Sequence, residues 1–308
     1  LHVAILIVGY RNAHDVVACL RALDVSTHTN FSVFICENGG PEAFERLVSA
    51  IPTDLRGGQA VRAHCASGNL GFAGGVNEGL RNTQDADAWW ILNPDTQPDP
   101  EALSALVARL AIGDCDAVGC TLYRPGGEVQ SHGGRWRPWL ARAESLGHGA
   151  SLEPPPAAAD IERQQSYLNG AAMLVSRRFL ATVGPMREDY FLYAEESEWF
   201  IRGARLGVRL GFAPAARVMH AVGATTGSGA EVGARPRLPI YLDERNRILL
   251  TRDLFPARLP VAAVAALLQL FMRYGRRGAW TQFSYGLSGW AAGLRNKRGP
   301  PTWAINPR

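Results

Sequence analysis

Trp89-Trp90-Ile91-Leu92-Asn93-Pro94-Asp95-Thr96 runs four apolar residues straight into a carboxylate, with a proline between. The apolar part reads as the end of a buried strand. Pro94 stops it, because proline cannot donate to a β-ladder. Asp95 is thereby held at the rim of a sheet, where ligands of open α/β folds collect. Asp after Asn-Pro is equally at home as a plain turn residue, so the octamer takes its meaning from its surroundings.

Upstream, His2 to Val8 is a continuous apolar run of strand length, as expected for a strand buried on both faces. Gly9-Tyr10-Arg11-Asn12 ends it. His14 to Leu23 has Val16, Val17, Leu20 and Leu23 at helical spacing. Ser32 to Cys36 is a second strand closed by Glu37-Asn38-Gly39-Gly40, Pro41 to Ile51 a helix opened by proline, and Gln59 to Cys65 a third strand. Strands alternating with helices predict a parallel sheet with right-handed crossovers. Next comes Asn69-Leu70-Gly71-Phe72-Ala73-Gly74-Gly75-Val76-Asn77-Glu78-Gly79. Read as a glycine-rich turn with a helix opening at Val76, it suits phosphates or a sugar edge, and Asn69 and Asn77 add amide groups. The plain alternative is a tight loop.

Downstream, Pro100 to Leu110 reads as a helix and Ala117 to Tyr123 as a strand. From 125 to 160 glycine and proline dissolve the pattern, which predicts a long insertion, poorly ordered without ligands and able to act as a flap. Order returns at Tyr167-Leu168-Asn169-Gly170 and the apolar Ala171 to Val175. Tyr190-Phe191-Leu192-Tyr193 then leads into Glu195, Glu196 and Glu198, followed by Trp199. Acids in a first helical turn are favoured by the helix dipole alone. Three crowded behind an aromatic run also raise one another's pKa, which suits a general base. Val208 to Phe212 and Arg217 to Met219 read as two short strands. His220 at the end of the second is open to metal binding.

Composition sets outer bounds. The 308 residues are 47% hydrophobic and 19% charged with a formal charge of +4, as in a globular protein of one large domain or two ordinary ones. Lys297 is the only lysine. No stretch joins basic charge to the aromatic spacing of a nucleic-acid module, so no nucleic-acid partner is expected. Five cysteines without a CxxC pair fit free thiols in a reducing, cytoplasmic compartment. No signal-peptide pattern is seen, and no uninterrupted apolar run reaches membrane-spanning length.

Taken together, these blocks resemble glycosyltransferase family 2, inverting enzymes of GT-A fold that use nucleotide sugars. The resemblance covers roughly residues 1–250 and rests on the order of Val8-Gly9-Tyr10-Arg11-Asn12, Glu37-Asn38, Asn69-Leu70-Gly71-Phe72 through Asn77, Asn93-Pro94-Asp95, Asn169-Gly170-Ala171 and Phe191 to Glu198. Tyr241 with Arg245-Asn246 is similar to a pattern of the rhamnosyltransferase-like branch. The resemblance implies a Rossmann-like, mostly parallel sheet flanked by helices. It implies a nucleotide-sugar-binding half at 1–123, an acceptor half at 124–250 and a helical extension at 251–308. Gly9, Tyr10, Asn12, Glu37, Asn38, Asn69, Gly71, Phe72, Asn77, Asn93 and Asp95 would meet the donor. Asp95 matches the metal-binding aspartate of the family's Asp-x-Asp motif, Asn93 replacing the first Asp, and His220 falls where some relatives place a second ligand for Mg2+ or Mn2+. Glu196 stands at the catalytic base, with Glu195, Glu198, Trp199 and Asn169 on the acceptor side or in support. The donor would be a nucleoside-diphosphate sugar, dTDP-rhamnose by branch. The acceptor would be a glycan or a polyprenyl-diphosphate-linked glycan of the cell surface.

Rival readings fare worse. A dinucleotide oxidoreductase should carry GxGxxG at the first turn, and Gly9 to His14 does not. A glycoside hydrolase could use paired carboxylates but has no need of a nucleotide half. A non-catalytic partner in a polysaccharide assembly complex would have no reason to keep Asp95, Glu196 and His220 together. Pro260 to Met272 is almost wholly apolar and is followed by Arg273, Arg276, Arg277 and Trp280. It reads as a helix packed on the catalytic domain or in a homodimer interface, or as a helix lying on the inner membrane surface.

Overall fold

The computed structural model describes residues 1–221 and 231–305. The chain opens with β1 (Val3–Gly9), α1 (Ala13–Leu23), β2 (Phe31–Glu37), α2 (Pro41–Ala50), β3 (Val61–Cys65), α3 (Gly71–Asn82) and β4 (Ala88–Leu92). It continues through β5 (Thr96–Pro98), α4 (Ala102–Ala111), β6 (Ala117–Tyr123), β7 (Val129–Ser131), β8 (Gly134–Arg137), β9 (Arg142–Ser145) and α5 (Ala158–Gln164). Then follow β10 (Ala172–Ser176), α6 (Arg177–Val183), α7 (Glu195–Arg205), β11 (Leu210–His220), α8 (Arg237–Leu254), α9 (Leu259–Arg273) and α10 (Trp280–Leu294).

The main sheet runs β3-β2-β1-β4-β10-β6-β11-β5, with β7 against β6. The first four strands are parallel, and β10 is antiparallel to both neighbours. This is the expected α/β sheet with helices on both faces. Alternation along β1 explains the apolar runs. Val3, Ile5 and Ile7 face one core with Leu20, Leu47 and Leu106, while Ala4 and Leu6 face the other with Val76, Phe179 and Trp199. A strand covered on both sides has no polar face to show.

Four expectations need correction. The helix expected at Val76 begins at Gly71, so Gly74 and Gly75 lie inside α3 rather than in a ligand-facing turn. A Cβ at Gly75 would stand 2.5 Å from Val8 and one at Gly79 2.9 Å from Leu6, so these glycines let α3 sit close on β1. The 125–160 insertion is folded: β7 extends the main sheet, β8 and β9 form a hairpin, and Trp136, Ala141, Leu146 and Ile161 are buried. The two strands expected over 208–219 are one, β11, with a register shift between Phe212 and Arg217 around Pro214. The boundary expected at 250 falls inside a helix, and the one at 123, at the end of β6, divides a single sheet. β10, from the second half, lies between β4 and β6 of the first, and α8 runs through residue 250.

Candidate active site

The ends of β1, β4 and β11 meet the N-terminus of α7 at one edge of the sheet. β4 stops at Leu92, and Asn93 N–H donates to the Ala171 carbonyl at 2.9 Å, tying the strand end to the Asn169–Ala171 loop. Asn169 holds that loop by accepting from Ala171 N–H with its own Oδ1. Gly170 lies directly against Glu196: a Cβ there would be 3.5 Å from Glu196 Cγ.

Thr96 pairs with His220 across β5 and β11, and Ala221 N–H donates to the Asp95 carbonyl. This register brings His220 Nε2 to 3.3 Å from Asp95 Oδ1, both side chains 9% exposed. Gln130 Oε1, in the folded insertion, lies 3.0 Å from His220 Nδ1. With Nδ1 on Gln130, Nε2 is the ring nitrogen turned toward the carboxylate. An imidazole nitrogen and a carboxylate oxygen side by side are a donor set that a divalent cation takes. Among the described residues no group of three or more His, Cys, Asp or Glu converges, so the protein offers two ligands. A hard cation held so sparsely leaves most of its coordination to phosphate oxygens and water.

The acidic cluster divides into three different groups. Glu198, expected on the acceptor side or in support, is buried and paired with Arg202 within α7, Nε to Oε1 2.9 Å. Trp199 is likewise a core residue, packed on Phe179 and Phe200 and donating to the Gly184 carbonyl. Glu195 is 2% exposed and its Oε2 has no partner. Burial, then the neighbouring Glu196, drives its pKa well above the carboxylate range, so it keeps its proton. Glu196 is only partly covered. Desolvation pushes it up to about 7, the N–H groups of Glu196 and Ser197 pull it down and Asp243 pushes it up. One acid of the pair is a neutral neighbour, and the other is a base that titrates near neutrality.

The turn that delivers this pair is strained. Phe191, Tyr193 and Ala194 have φ of 69°, 72° and 65°, a conformation uncommon outside glycine. Sequence reasoning missed what holds it. The Asn246 amide, wholly buried on α8, donates to the carbonyls of Tyr190, Leu192 and Tyr193 at 2.8–2.9 Å, and Arg245 adds a bond to Tyr190 O. Removing Asn246 takes the donor from the Leu192 and Tyr193 carbonyls, at about 1–3 kcal/mol each, while Tyr190 O keeps Arg245 and the Leu192 N–H. Asn246→Ala should therefore lower the melting temperature by on the order of 5 °C or more. An unchanged thermal denaturation midpoint would show that the turn holds itself.

The expected donor residues fall into two groups. Gly9, Tyr10, Asn12, Glu37 and Asn38 gather at the ends of β1 and β2. Glu37 is fully buried. Its Oε1 accepts from Arg11 N–H at 2.9 Å and Gly39 N–H at 2.7 Å, and its Oε2 is left without a partner beside Gly9. Asn12 Oδ1 accepts from Tyr10 N–H, and Tyr10 is exposed. Asn38 Nδ2 reaches the Gly71 carbonyl and links this cluster to α3, while Asn69 Oδ1 accepts from Gly71 N–H. The other expectations are corrected. Asn77 is buried and spends its amide on Met186 and Glu188. Phe72 packs into the core, and its N–H donates to Phe191 O. Gly71 lies against that same carbonyl, where a Cβ would stand 2.2 Å away. The first two N–H groups of α3 are thus taken up by protein.

A family model described as "Glycosyl transferase family 2" matches residues 4–162. A curated relative, the "Low-salt glycan biosynthesis hexosyltransferase Agl10" of Haloferax volcanii, is 22% identical over 193 residues, 62% of this chain. The chain spans 60% of that relative's length. Among solved structures, the mannosyltransferase PcManGT from Pyrobaculum calidifontis, in complex with GDP-Man and Mn2+, superposes with a TM-score of 0.57 at 16% identity, over 96% of this chain and 88% of that one. S. aureus TarS 1-349 in complex with UDP-GlcNAc gives 0.53 at 10% identity, over 96% and 93%. These likenesses establish the GT-A fold.

Proposed function

The chain belongs to glycosyl transferase family 2, and from that premise we propose that it transfers a sugar from a nucleoside-diphosphate donor to a hydroxyl of a glycan acceptor, with inversion. The observation that carries this reading is the convergence at one sheet edge of an Asp95–His220 pair and a half-buried Glu196 with its pKa near 7. Donors of this kind, GDP-Man and UDP-GlcNAc, are held by the two structural neighbours, one of them together with Mn2+. The neighbouring glycan hexosyltransferase fits the same class.

In this reading Asp95 and His220 would hold Mg2+ or Mn2+, which would supply positive charge against the leaving diphosphate. Glu196 accepts the acceptor hydroxyl proton while that oxygen bonds to the anomeric carbon and the bond to the diphosphate breaks. One displacement from the opposite face leaves the product inverted. The orphaned Glu37 Oε2 and the exposed Tyr10 face the nucleoside end. Tyr241 and Arg245-Asn246, which carry the rhamnosyltransferase-like resemblance, build the turn at 190–193 or pack beside it. They say nothing of the sugar, so the donor is proposed only as a nucleoside-diphosphate sugar.

The test is release of nucleoside diphosphate from a set of nucleotide sugars by the purified chain, with Mn2+ and with chelator. One donor should be hydrolysed slowly and only with metal. Release from none, with or without acceptor glycans, would remove the proposal.

A further inference from the structure

The C-terminal helices expose an apolar face that none of the described residues covers. On α9, Val261, Val264, Leu268 and Met272 are 51–62% exposed, while Ala262, Ala263, Ala266 and Leu270 are buried against α8 and α10. Spacing of three and four residues puts the exposed set on one stripe. No charged residue interrupts it. Phe271 and Trp280 extend the stripe past the end of the helix, with ring centroids 6.4 Å apart. On the other flank, exposed Trp139 and Leu140 at the β8–β9 turn are tied to it. Gln269 donates to Leu140 O at 2.9 Å, and the Arg258 guanidinium lies over Trp139. Contiguous exposed apolar surface of this kind marks an interaction site.

Charge identifies the occupant. From Phe255 to Arg308 the sequence has eight basic residues and no Asp or Glu, although the whole chain carries only +4. Arg276 and Arg277 are exposed beside Trp280. An apolar stripe rimmed by arginines with an aromatic at its edge matches the layered chemistry of an anionic bilayer surface: hydrocarbon, interface, phosphate. A second copy of the chain would bring the same exposed Arg276 and Arg277 to the contact. We propose that this face docks the protein on a membrane surface rich in anionic lipid.

The helix lies in the interface rather than crossing it. The helical stretch Pro256–Arg277, 22 residues and longer than the apolar run Pro260–Met272 within it, is long and apolar enough to cross a membrane. Its inner side, however, rests on α8, where Glu244, Arg245, Asn246 and Arg247 are buried together. A spanning placement would carry that layer into hydrocarbon at high cost. α8 also holds the turn before Glu196, so the docked face and the active site share one helix. That this serves a lipid-linked acceptor rests on the transferase reading; docking itself does not.

The experiment is flotation of the full chain with phosphatidylglycerol–phosphatidylcholine vesicles and with phosphatidylcholine alone, at low and high salt. The chain should float with the anionic vesicles, less so in salt. Val264→Glu with Leu268→Glu, and separately Arg276→Glu with Arg277→Glu, should each cut the bound fraction about tenfold or more. Both pairs are exposed, so melting temperature and donor hydrolysis should hold, which separates failure here from failure of the transferase reading. No binding to anionic vesicles, or binding that both pairs leave intact, overturns the proposal. A dimer that the Val264 and Leu268 changes dissolve, without lipid binding, overturns it in favour of a second copy. Should the apolar pair fail to fold, the arginine pair decides.

Discussion

Glu196→Gln should lower transfer by about 10²–10⁴-fold, the usual range for loss of a general base, with little change in donor affinity. Gln keeps the shape and loses the proton acceptor. Glu195→Gln is the control. Glu195 is buried with an unpartnered oxygen and holds its proton, so Gln resembles the state already present, and activity should change little. The pH profile follows from the same groups. Glu196 titrates up near 7 and works as the carboxylate, so kcat/KM should rise with pH through about 7 and level off above it. Stability should run the other way. A carboxyl whose folded pKa exceeds the unfolded one binds more protons folded, so its contribution is fully present at low pH and is lost as pH rises from about 4.5 through 7. A profile without an acid limb in Glu196→Gln but with one in Glu195→Gln identifies the base. Equal losses in both variants would place it elsewhere.

Asp95→Ala should reduce transfer on the order of 10²–10³-fold and weaken donor binding, because the charge-stabilising group on the diphosphate loses its holder. His220→Ala should act in the same direction. Gln130→Ala should do so more weakly, since it only orients the ring through Nδ1. EDTA should reproduce the effect in the wild type and add nothing to Asp95→Ala. Full activity in excess chelator would leave the diphosphate to arginines or backbone N–H groups instead.

What the sequence made legible follows from burial. β1, β2, β4 and β6 are covered on both faces and read as unbroken apolar runs. β7 to β9 were invisible because they are three or four residues long, Arg135 and Arg137 alternate with the buried positions of β8, and β9 buries none of its residues. Pro214 split β11 in the reading, and the bulge there shows why both views have a cause. The start of α3 was misplaced because Gly71, Gly74 and Gly75 read as a turn, whereas close packing demands them: Gly71 on Phe191, Gly74 on Leu70 and Gly75 on Val8 of β1. At the site, Asp95 and His220 were legible as residues at strand ends. The separation of Glu196 from its neighbours was also latent in the sequence. Glu195, Glu198 and Trp199 are spaced i, i+3 and i+4 and share the inward face of α7, which leaves Glu196 aside. The grip of Asn246 on residues 190–193 spans more than fifty positions, and no local pattern announces it.

The central claim is that one metal-bearing edge of this sheet receives a nucleoside-diphosphate sugar. Its most direct measurement is the melting temperature of the wild type, Asp95→Ala and His220→Ala with Mn2+, with nucleoside diphosphates, and with both. Binding to the folded state raises the midpoint, by about 2.7 kcal/mol of stability at a hundredfold excess over Kd. The wild type should rise most with metal and one nucleotide together, and both variants should lose that joint rise. A wild type that melts at the same temperature under every combination, or variants that keep the joint rise in full, would contradict it.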